Sequence, residues 1–350
     1  MKILKRIVSL PIISIFLLHN INYNAYSITN TPAQKSLKAV VFLNDSNYTY
    51  ISEAKKSLED IQKENNNRIE FTFFDSKGNQ EIENENIDKA LNNGFDLFVV
   101  KPVSGKVNEI EKPLTKIMKA NIPLIIYLPR TTESLENIVS AYGKVIIING
   151  DVELSGTLEG KILANAWNAN KEAIDKNKDN IMQYVMLKGP SDNVATNIRT
   201  KYSIRALNDV GIKTDSLLTT VCNFDKECAR TTIESALLTL DGKIEAIISN
   251  NDDMAIGAIE ALQKYGFNKG DDSKYIPVVG IDGVPEAKEL INQGIMLGTA
   301  ISDLPTEVNA IYSVGMNLVS GNDPLYGTNL KFDETGITIK IPYYAYTKLQ

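Results

Sequence analysis

A chain of 350 residues has room for two domains, and its 43% hydrophobic and 23% charged residues are typical of a soluble globular protein. Its 43 acidic against 37 basic side chains give a formal net charge of −6, which argues against nucleic acid or anionic lipid as a partner. Removal of the basic residues at the amino terminus would make the net charge still more negative.

The amino terminus has the layout of an export signal. Lys2, Lys5 and Arg6 precede a largely apolar run over residues 7–18, and Ala25-Tyr26-Ser27 places small residues where a signal peptidase reads. We predict a signal peptide over residues 1–27 and an extracytoplasmic protein. The alternative is an uncleaved segment that tethers the chain. Neither cysteine lies near this segment, so a lipid anchor is not expected.

Cleavage of that segment would also remove His19, the only histidine of the chain. The remaining chain would then lack Ser-His-Asp and Cys-His catalysis and zinc sites built on histidine. The sequence shows no nucleophile-base pair, phosphate loop or catalytic-metal motif either. We therefore expect a protein that is not an enzyme.

Beyond residue 35, short apolar runs alternate with segments of helical periodicity. The first series consists of predicted strands and helices at Lys38–Asn44, Ile51–Asn65, Arg68–Asp75, Ile82–Asn93, Asp96–Lys101, Lys106–Ala120 and Ile122–Leu128. The second comprises Lys144–Asn149, Leu154–Ala173, Ile181–Leu187, Asn193–Asn208, Ile212–Cys222, Lys226–Leu240 and two later strand-helix units. Such alternation is typical of βαβ crossovers. It predicts an α/β fold with two doubly wound parallel-sheet lobes.

The two later units each end a buried strand with polar residues and then begin a helix. They span Ile244–Leu262 and Ile276–Ala287. Ligands of open α/β sheets bind at the carboxyl ends of the strands. Asn251 and Asp282 follow their strands directly, so we expect both at a binding site.

A polar segment before the Ile181–Leu187 strand has the ligand order of a calcium-binding loop. Oxygen-bearing side chains stand at positions one, three, five and nine, and position seven offers a backbone carbonyl. These positions are Asp175, Asn177, Asp179, Gln183 and, for the carbonyl, Ile181. The acidic residue usual at position twelve is absent. An ordinary polar turn before a strand is the alternative.

The two strand-helix units resemble the secreted sugar-binding proteins of bacterial ABC transporters, most closely the galactose/glucose-binding proteins. The resemblance implies the type I periplasmic binding protein fold, in which three chain segments form a hinge. By position, the crossings would fall near Pro129–Thr131, Ile301–Asp303 and Ile339–Pro342. The implied amino-terminal lobe is 36–130 with 303–339, and the carboxy-terminal lobe is 131–302 with 340–350.

The resemblance also implies a sixth metal ligand. In those proteins a glutamate from a neighbouring strand completes the loop, and Glu245 occupies the matching place. The predicted cofactor is thus a structural Ca²⁺. Its ligands would be Asp175, Asn177, Asp179, Ile181, Gln183 and Glu245.

Other residues match the sugar-binding positions of that family. Arg199, Asn251 and Asp282 correspond to polar ligand contacts, and Phe224 and Tyr50 stand where the family has stacking aromatics. Core packing is the alternative for the two aromatic rings. The sequence departs from the family pattern at Tyr48, which stands where the family has an aspartate, although a shift of one residue would bring Asn47 to that position. It also departs at Lys101, Asn193, Ala195 and Ser302. Lys101, Asn193 and Ser302 are nevertheless predicted to belong to the ligand site.

These departures argue against glucose or galactose bound in the usual way. Lys101 with Arg199 offers a site for the carboxylate of a uronic or sialic acid, with Asp282 opposite; a solvated Lys101 is the alternative. Cys222 and Cys228 are close enough in sequence for a local disulfide, but two free thiols fit equally well.

The predicted function is a monomeric, non-catalytic protein that delivers a carbohydrate-like solute to an ABC permease. A receptor read by a membrane histidine kinase is the main alternative. A sugar-responsive transcription regulator with the same fold is disfavoured, because an export signal stands where a DNA-binding helix would be.

Overall fold

The computed structural model describes residues 36–128, 133–240 and 242–348. The predicted signal peptide, residues 1–27, lies outside the described residues, as does the predicted crossing at Pro129–Thr131. Among the residues described, no helix is both long enough and apolar enough to cross a membrane.

The first lobe is built on a six-stranded sheet with the order β2-β1-β3-β4-β5-β11, in which every described pairing is parallel. Helices cover both of its faces. The elements are β1 Leu37–Leu43, α1 Thr49–Glu64, β2 Ile69–Asp75, α2 Gln80–Leu91, β3 Leu97–Val100, α3 Val107–Lys119, β4 Leu124–Leu128, α4 Glu133–Val139, β5 Val145–Gly150, α11 Leu304–Ser320 and β11 Thr338–Ile341.

Alternate residues of one strand explain why both faces are covered. In β1, Ala39 and Val41 pack with helices α1 and α11, whereas Val40 and Phe42 pack with α2 and α3 on the other side. Successive side chains of a strand point to opposite faces, so an unbroken apolar run requires cover on both.

The second lobe repeats this arrangement with the strand order β7-β6-β8-β9-β10-β12. Its last strand, β12, runs antiparallel to β10. The elements are α5 Val152–Ala169, α6 Lys171–Ile174, β6 Ile181–Lys188, α7 Val194–Asp209, β7 Lys213–Val221, α8 Lys226–Thr239, β8 Ala246–Ser249, α9 Asp252–Lys264, β9 Val278–Asp282, α10 Pro285–Asn292, β10 Gly298–Ser302 and β12 Tyr343–Thr347.

The predicted boundary between the lobes at residues 130 and 131 is wrong. The strand expected to start the second lobe, Lys144–Asn149, is β5, which pairs with β4 and β11 in the first sheet. Helix α4 returns the chain to that sheet, where β5 lies between β4 and β11. The first crossing therefore lies between Gly150 and Val152, and the others at Asp303 and Pro342.

Short polar side chains begin the helices that follow the strands of the second lobe. The side-chain oxygens of Asn193, Asp225 and Asn251 accept hydrogen bonds from backbone N–H groups in the first turns of α7, α8 and α9. Each cap satisfies a donor that a helix start leaves free. The caps thereby fix the loops at the carboxyl edge of the sheet.

Candidate functional site

A cavity of about 130 Å³ lies between the carboxyl edges of the two sheets. We call it the interlobe cavity. Seven of the eight predicted ligand residues line it: Tyr50, Lys101, Asn193, Arg199, Phe224, Asn251 and Asp282. The second-lobe wall comprises Asn193, Arg199, Phe224, Asn251 and Asp282, and the first-lobe wall comprises Tyr48, Tyr50, Lys101 and Tyr127.

Arg199 is the centre of the second-lobe wall. It is 8% exposed, and its Nη1 donates to the Asn250 carbonyl oxygen at 2.7 Å. Its Nη2 lies 3.3 Å from both Asp282 Oδ1 and the Tyr343 hydroxyl. Its Nε is buried without a hydrogen-bond partner in the described structure. The guanidinium is therefore held firmly through both Nη atoms.

Asp282 ends β9 in an unusual backbone conformation, with φ at 121°. Non-glycine residues rarely adopt such angles, and they concentrate at functional sites. Burial raises the pKa of Asp282 to about 6, although Arg199 favours the charged form. The carboxylate is thus held in the cavity at an energetic cost.

Asn251 and Asp252 hold the backbone on either side of the cavity wall that includes Asp282. The side chain of Asn251, predicted to contact ligand, caps α9 through the Met254 N–H at 3.1 Å and also lines the cavity. Asp252, the next residue, accepts hydrogen bonds from the Gly283 and Val284 N–H groups. Asp252 therefore fixes the loop that follows Asp282.

The first-lobe wall surrounds a single cation with aromatic rings. Lys101 Nζ lies 3.7 Å from the centroid of the Tyr127 ring and 5.8 Å from that of Tyr50. Burial lowers the pKa of Lys101 to about 8, against the opposing effect of the Glu307 and Asp282 carboxylates. Lys101 is therefore a wall residue of the cavity and not a solvated surface lysine.

Ser302, the eighth predicted ligand residue, does not line the interlobe cavity, so this expectation is corrected. Its hydroxyl lies 3.0 Å from the Tyr50 hydroxyl, which itself donates to Glu307. Ser302 borders a separate groove of about 410 Å³ on the far side of Tyr50 and Asp282. The Ser302 hydroxyl contacts the Tyr50 hydroxyl, so Ser302 contributes to the cavity by supporting the Tyr50 ring.

Phe224 and Tyr48 close one side of the cavity. Their rings, one from each lobe, meet edge to face with centroids 5.6 Å apart. Phe224 lies in a left-handed conformation, with φ at 63°, inside the loop closed by the Cys222–Cys228 disulfide. A side chain at Gly189 would collide with the Phe224 ring, at 2.3 Å from its Cζ. The loop thus holds Phe224 in one position.

A second contact joins the lobes beside these rings. Asp253, in the first turn of α9, accepts hydrogen bonds from the Thr49 hydroxyl at 2.6 Å and from the Thr49 N–H at 3.2 Å. Neither residue lines the interlobe cavity. We call this contact the interlobe latch. It links the first turn of α1 in one lobe directly to the first turn of α9 in the other.

Sequence reasoning missed four residues with polar side chains at the site. Asn44, Tyr127 and Tyr343 line the cavity, and Glu307 lies behind Tyr50. The signal for Asn44 and Tyr127 was available, because both stand at the carboxyl ends of predicted strands. Tyr343 and Glu307 reach the site only through the hinge, which no local pattern reveals.

The predicted calcium loop folds as a turn stabilised by its own side chains. Asp175 accepts hydrogen bonds from the Asp179 and Asn180 N–H groups at 3.1 Å each. Glu245, directly before β8, accepts from the Lys176 and Gln183 N–H groups at 2.7 and 3.0 Å. These hydrogen bonds connect Glu245 to the turn that carries the other five predicted calcium ligands.

The turn leaves one oxygen acceptor free for a cation. In the described structure no three Asp, Glu, His or Cys side chains converge as a metal-binding group. The predicted set, however, relies on amide and carbonyl oxygens as well. Gln183 Oε1 is buried there without a hydrogen-bond partner, which leaves one acceptor of the set for a cation.

Comparisons with known proteins agree with this architecture. The model of a family described as periplasmic binding protein domain matches residues 39–323. The D-galactose/methyl-galactoside binding periplasmic protein MglB of Haemophilus influenzae is 31% identical over 281 residues, or 80% of each chain. A xylitol-binding protein of Mycolicibacterium smegmatis is 24% identical over 79% of this chain and 70% of its own length.

A solved structure gives the same picture at the level of the fold. An ABC transporter solute binding protein from Bacillus halodurans, with bound myo-inositol, aligns with a TM-score of 0.70. The alignment covers 91% of this chain and 96% of that chain at 21% sequence identity.

Proposed function

Because the chain belongs to the periplasmic binding protein family and has its two-lobed type I fold, we propose that it is an extracytoplasmic solute-binding protein that carries a sugar or sugar-like molecule to an ABC permease. The observation that supports this role is the interlobe cavity. There Arg199, Asn251 and Asp282 meet aromatic rings from both lobes.

The chemistry of the cavity suits a sugar held without reaction. Guanidinium, carboxylate and amide groups each make several directed hydrogen bonds, which match the hydroxyls of a sugar ring. The flat faces of Phe224, Tyr50 and Tyr48 suit its C–H surfaces. Binding would draw on both lobes, so a bound sugar would favour the arrangement in which the interlobe latch is formed.

A thermal-shift screen tests the proposed function. A sugar that binds only the native protein stabilises it by mass action, by about 2.7 kcal/mol at a hundred times its dissociation constant. The purified protein should respond to a small group of sugars, and calorimetric titration should give one site per chain. Failure of a broad sugar library to shift the melting temperature would contradict the proposal.

We further propose that the turn over residues 175–183 binds Ca²⁺ for structural support. Support comes from the ligand spacing, from Glu245 directly before the neighbouring strand β8, and from the unpartnered Gln183 Oε1. The side chains of Asp175, Asn177, Asp179, Gln183 and Glu245 with the Ile181 carbonyl would hold the ion. Calcium would stiffen the second lobe and take no part in sugar contact.

Chelation with EDTA and readdition of calcium test this second proposal. Saturating calcium should raise the free energy of unfolding by about 2–3 kcal/mol, and Glu245→Gln should abolish that gain. Glu172→Gln is the matched control, because Glu172 is exposed on α6 outside the ligand set. Equal calcium responses in the wild type and Glu245→Gln would refute the assignment.

The membrane partner separates transport from sensing. Genes for a permease and an ATPase beside this one favour transport, whereas genes for a membrane histidine kinase and a response regulator favour a receptor. Stimulation of the reconstituted transporter's ATP hydrolysis by the sugar-loaded protein is the biochemical test.

A further inference from the structure

One cationic side chain at the interlobe cavity lacks an acceptor. Lys101 lines the cavity, and its Nζ forms no hydrogen bond or ion pair within the described part of the chain; its nearest described ring is that of Tyr127 at 3.7 Å. Arg199, in contrast, is engaged through both Nη atoms. A donor without an acceptor in a largely buried site is costly, so the cavity is short of an acceptor atom at Lys101.

The carboxylates nearby do not fill this deficit. Asp282 is committed to Arg199 Nη2, and Glu307 accepts from the Tyr50 hydroxyl outside the cavity. Each favours the charged form of Lys101 through space, yet burial still lowers the pKa of Lys101 to about 8. The positive charge of Lys101 is therefore incompletely balanced by the protein.

An anionic acceptor would complete the cavity. A carboxylate carries one negative charge and two acceptor oxygens, and it forms strong charge-assisted hydrogen bonds with ammonium and guanidinium groups. A phosphate would bring nearly two negative charges, which Asp282 in the same cavity disfavours. The single cation without a partner is thus matched better by a carboxylate.

Resting on the proposed function, we infer that the solute is a sugar acid of the hexuronate class, with its carboxylate bound by Lys101 Nζ. The ring of the sugar lies against Phe224 and Tyr48, and Asp282 accepts from its hydroxyls. Lys101 is then the residue that determines specificity for the acid.

Calorimetric titration of the full chain with matched sugars tests this inference. D-galacturonate and D-glucuronate are compared with D-galactose, D-glucose, the neutral methyl esters of the two acids, and a hexose 6-phosphate. At least one uronate should bind about tenfold or more tightly than its neutral hexose and its methyl ester. The hexose phosphate should bind more weakly than the uronate.

Variants of Lys101 assign the preference to this residue. Lys101→Met keeps most of the length of the side chain without its charge. It should bring the ratio of the dissociation constants for the neutral hexose and for the uronate close to one. Lys101→Arg, which retains a cation, should keep the preference in the same direction. Lys288→Met is the control, because Lys288 borders the neighbouring groove and not the interlobe cavity. Each variant is first checked for an unchanged melting temperature without sugar.

The outcomes distinguish this inference from the function on which it rests. Binding of neutral hexoses as tightly as the uronates, or tighter binding of the hexose phosphate, overturns the inference and leaves a sugar-binding protein. An unchanged uronate preference in a folded Lys101→Met protein overturns it as well. No binding of any sugar refutes the proposed function itself.

Discussion

The two walls of the interlobe cavity are built in different ways. In the second-lobe wall, protein groups satisfy most of the hydrogen bonds: Arg199 is tied to Asn250 and Asp282, and Asn251 caps a helix. In the first-lobe wall, aromatic rings surround Lys101, which has no hydrogen-bond partner in the described structure.

This difference suggests that one wall positions the sugar and the other determines which sugar is bound. Side chains fixed by neighbouring groups are preorganised for binding and lose little freedom when a ligand arrives. An unpaired cation, in contrast, gains most from a ligand that supplies what the protein lacks. The second-lobe wall would therefore hold sugars in general, and the first-lobe wall would choose among them.

Loss of Arg199 should have the largest effect. Arg199→Met removes three hydrogen bonds of the second-lobe wall and leaves Asp282 buried without its partner. We expect at least about a hundredfold weaker sugar binding and an unfolding free energy lower by about 3–5 kcal/mol. Calorimetry and denaturant unfolding measure the two effects.

The double variant Arg199→Met/Asp282→Asn is the matched control for that experiment. It removes the buried unpaired charge and should regain part of the stability, while sugar binding stays lost. If Arg199→Met bound sugar within about tenfold of the wild type, the second-lobe wall would not have the role described.

Removing the Cys222–Cys228 disulfide should lower the free energy of unfolding by less than the loss of Arg199 does. Closure of so short a loop stabilises a protein by about 2 kcal/mol in the chain-entropy account, so Cys222→Ala/Cys228→Ala should lose about that much. Sugar affinity should fall as well, because Phe224 is released from its left-handed turn. Adding reductant to the unaltered protein should reproduce both changes, whereas unchanged affinity would show that Phe224 is positioned without the disulfide.

Loss of the interlobe latch should weaken the binding of all sugars by the same factor. Thr49→Val removes the hydroxyl that donates to Asp253, and a hydrogen bond to a charged group is worth about 1.5–3 kcal/mol at most. We expect about tenfold weaker binding of every sugar, with the order of preference unchanged. Thr49→Ser keeps the hydroxyl and should bind normally. A changed preference in Thr49→Val would place the latch in the binding site itself.

The smallest effect is a pH dependence that belongs to the first-lobe wall. Burial lowers the pKa of Lys101 to about 8, so the ammonium form is complete well below that pH and is lost as the pH rises through it. If an acidic sugar needs the ammonium, its affinity should fall by up to about tenfold between roughly pH 7 and pH 9. Lys101→Arg, which stays charged, should remove this dependence, and an equal fall for neutral sugars would assign it to another group.

Much of the fold could be read from local patterns, but the lobe boundary could not. Apolar strands alternating with periodic helices predict two doubly wound sheets, and the sheets have that form. A buried parallel strand looks the same in either lobe, however. Only its pairing with β4 and β11 places β5 in the first sheet.

The same distinction applies to the site. Strand ends predicted the positions of Asn251 and Asp282, because the carboxyl edge of a sheet collects such residues. The prediction that Ser302 lines the cavity was wrong, because its hydroxyl lies against the Tyr50 hydroxyl of the other lobe. Glu307 was missed for a related reason: it stands on α11, far along the chain from the ring that it supports.

A crystal structure of the complex with the sugar that stabilises the protein most tests the central claim directly. The account predicts one sugar enclosed by both walls, with its ring against Phe224 and its oxygens within hydrogen-bonding distance of Arg199 and Lys101. A sugar bound outside the cavity, or contacting only one lobe while the other stands open, would contradict it.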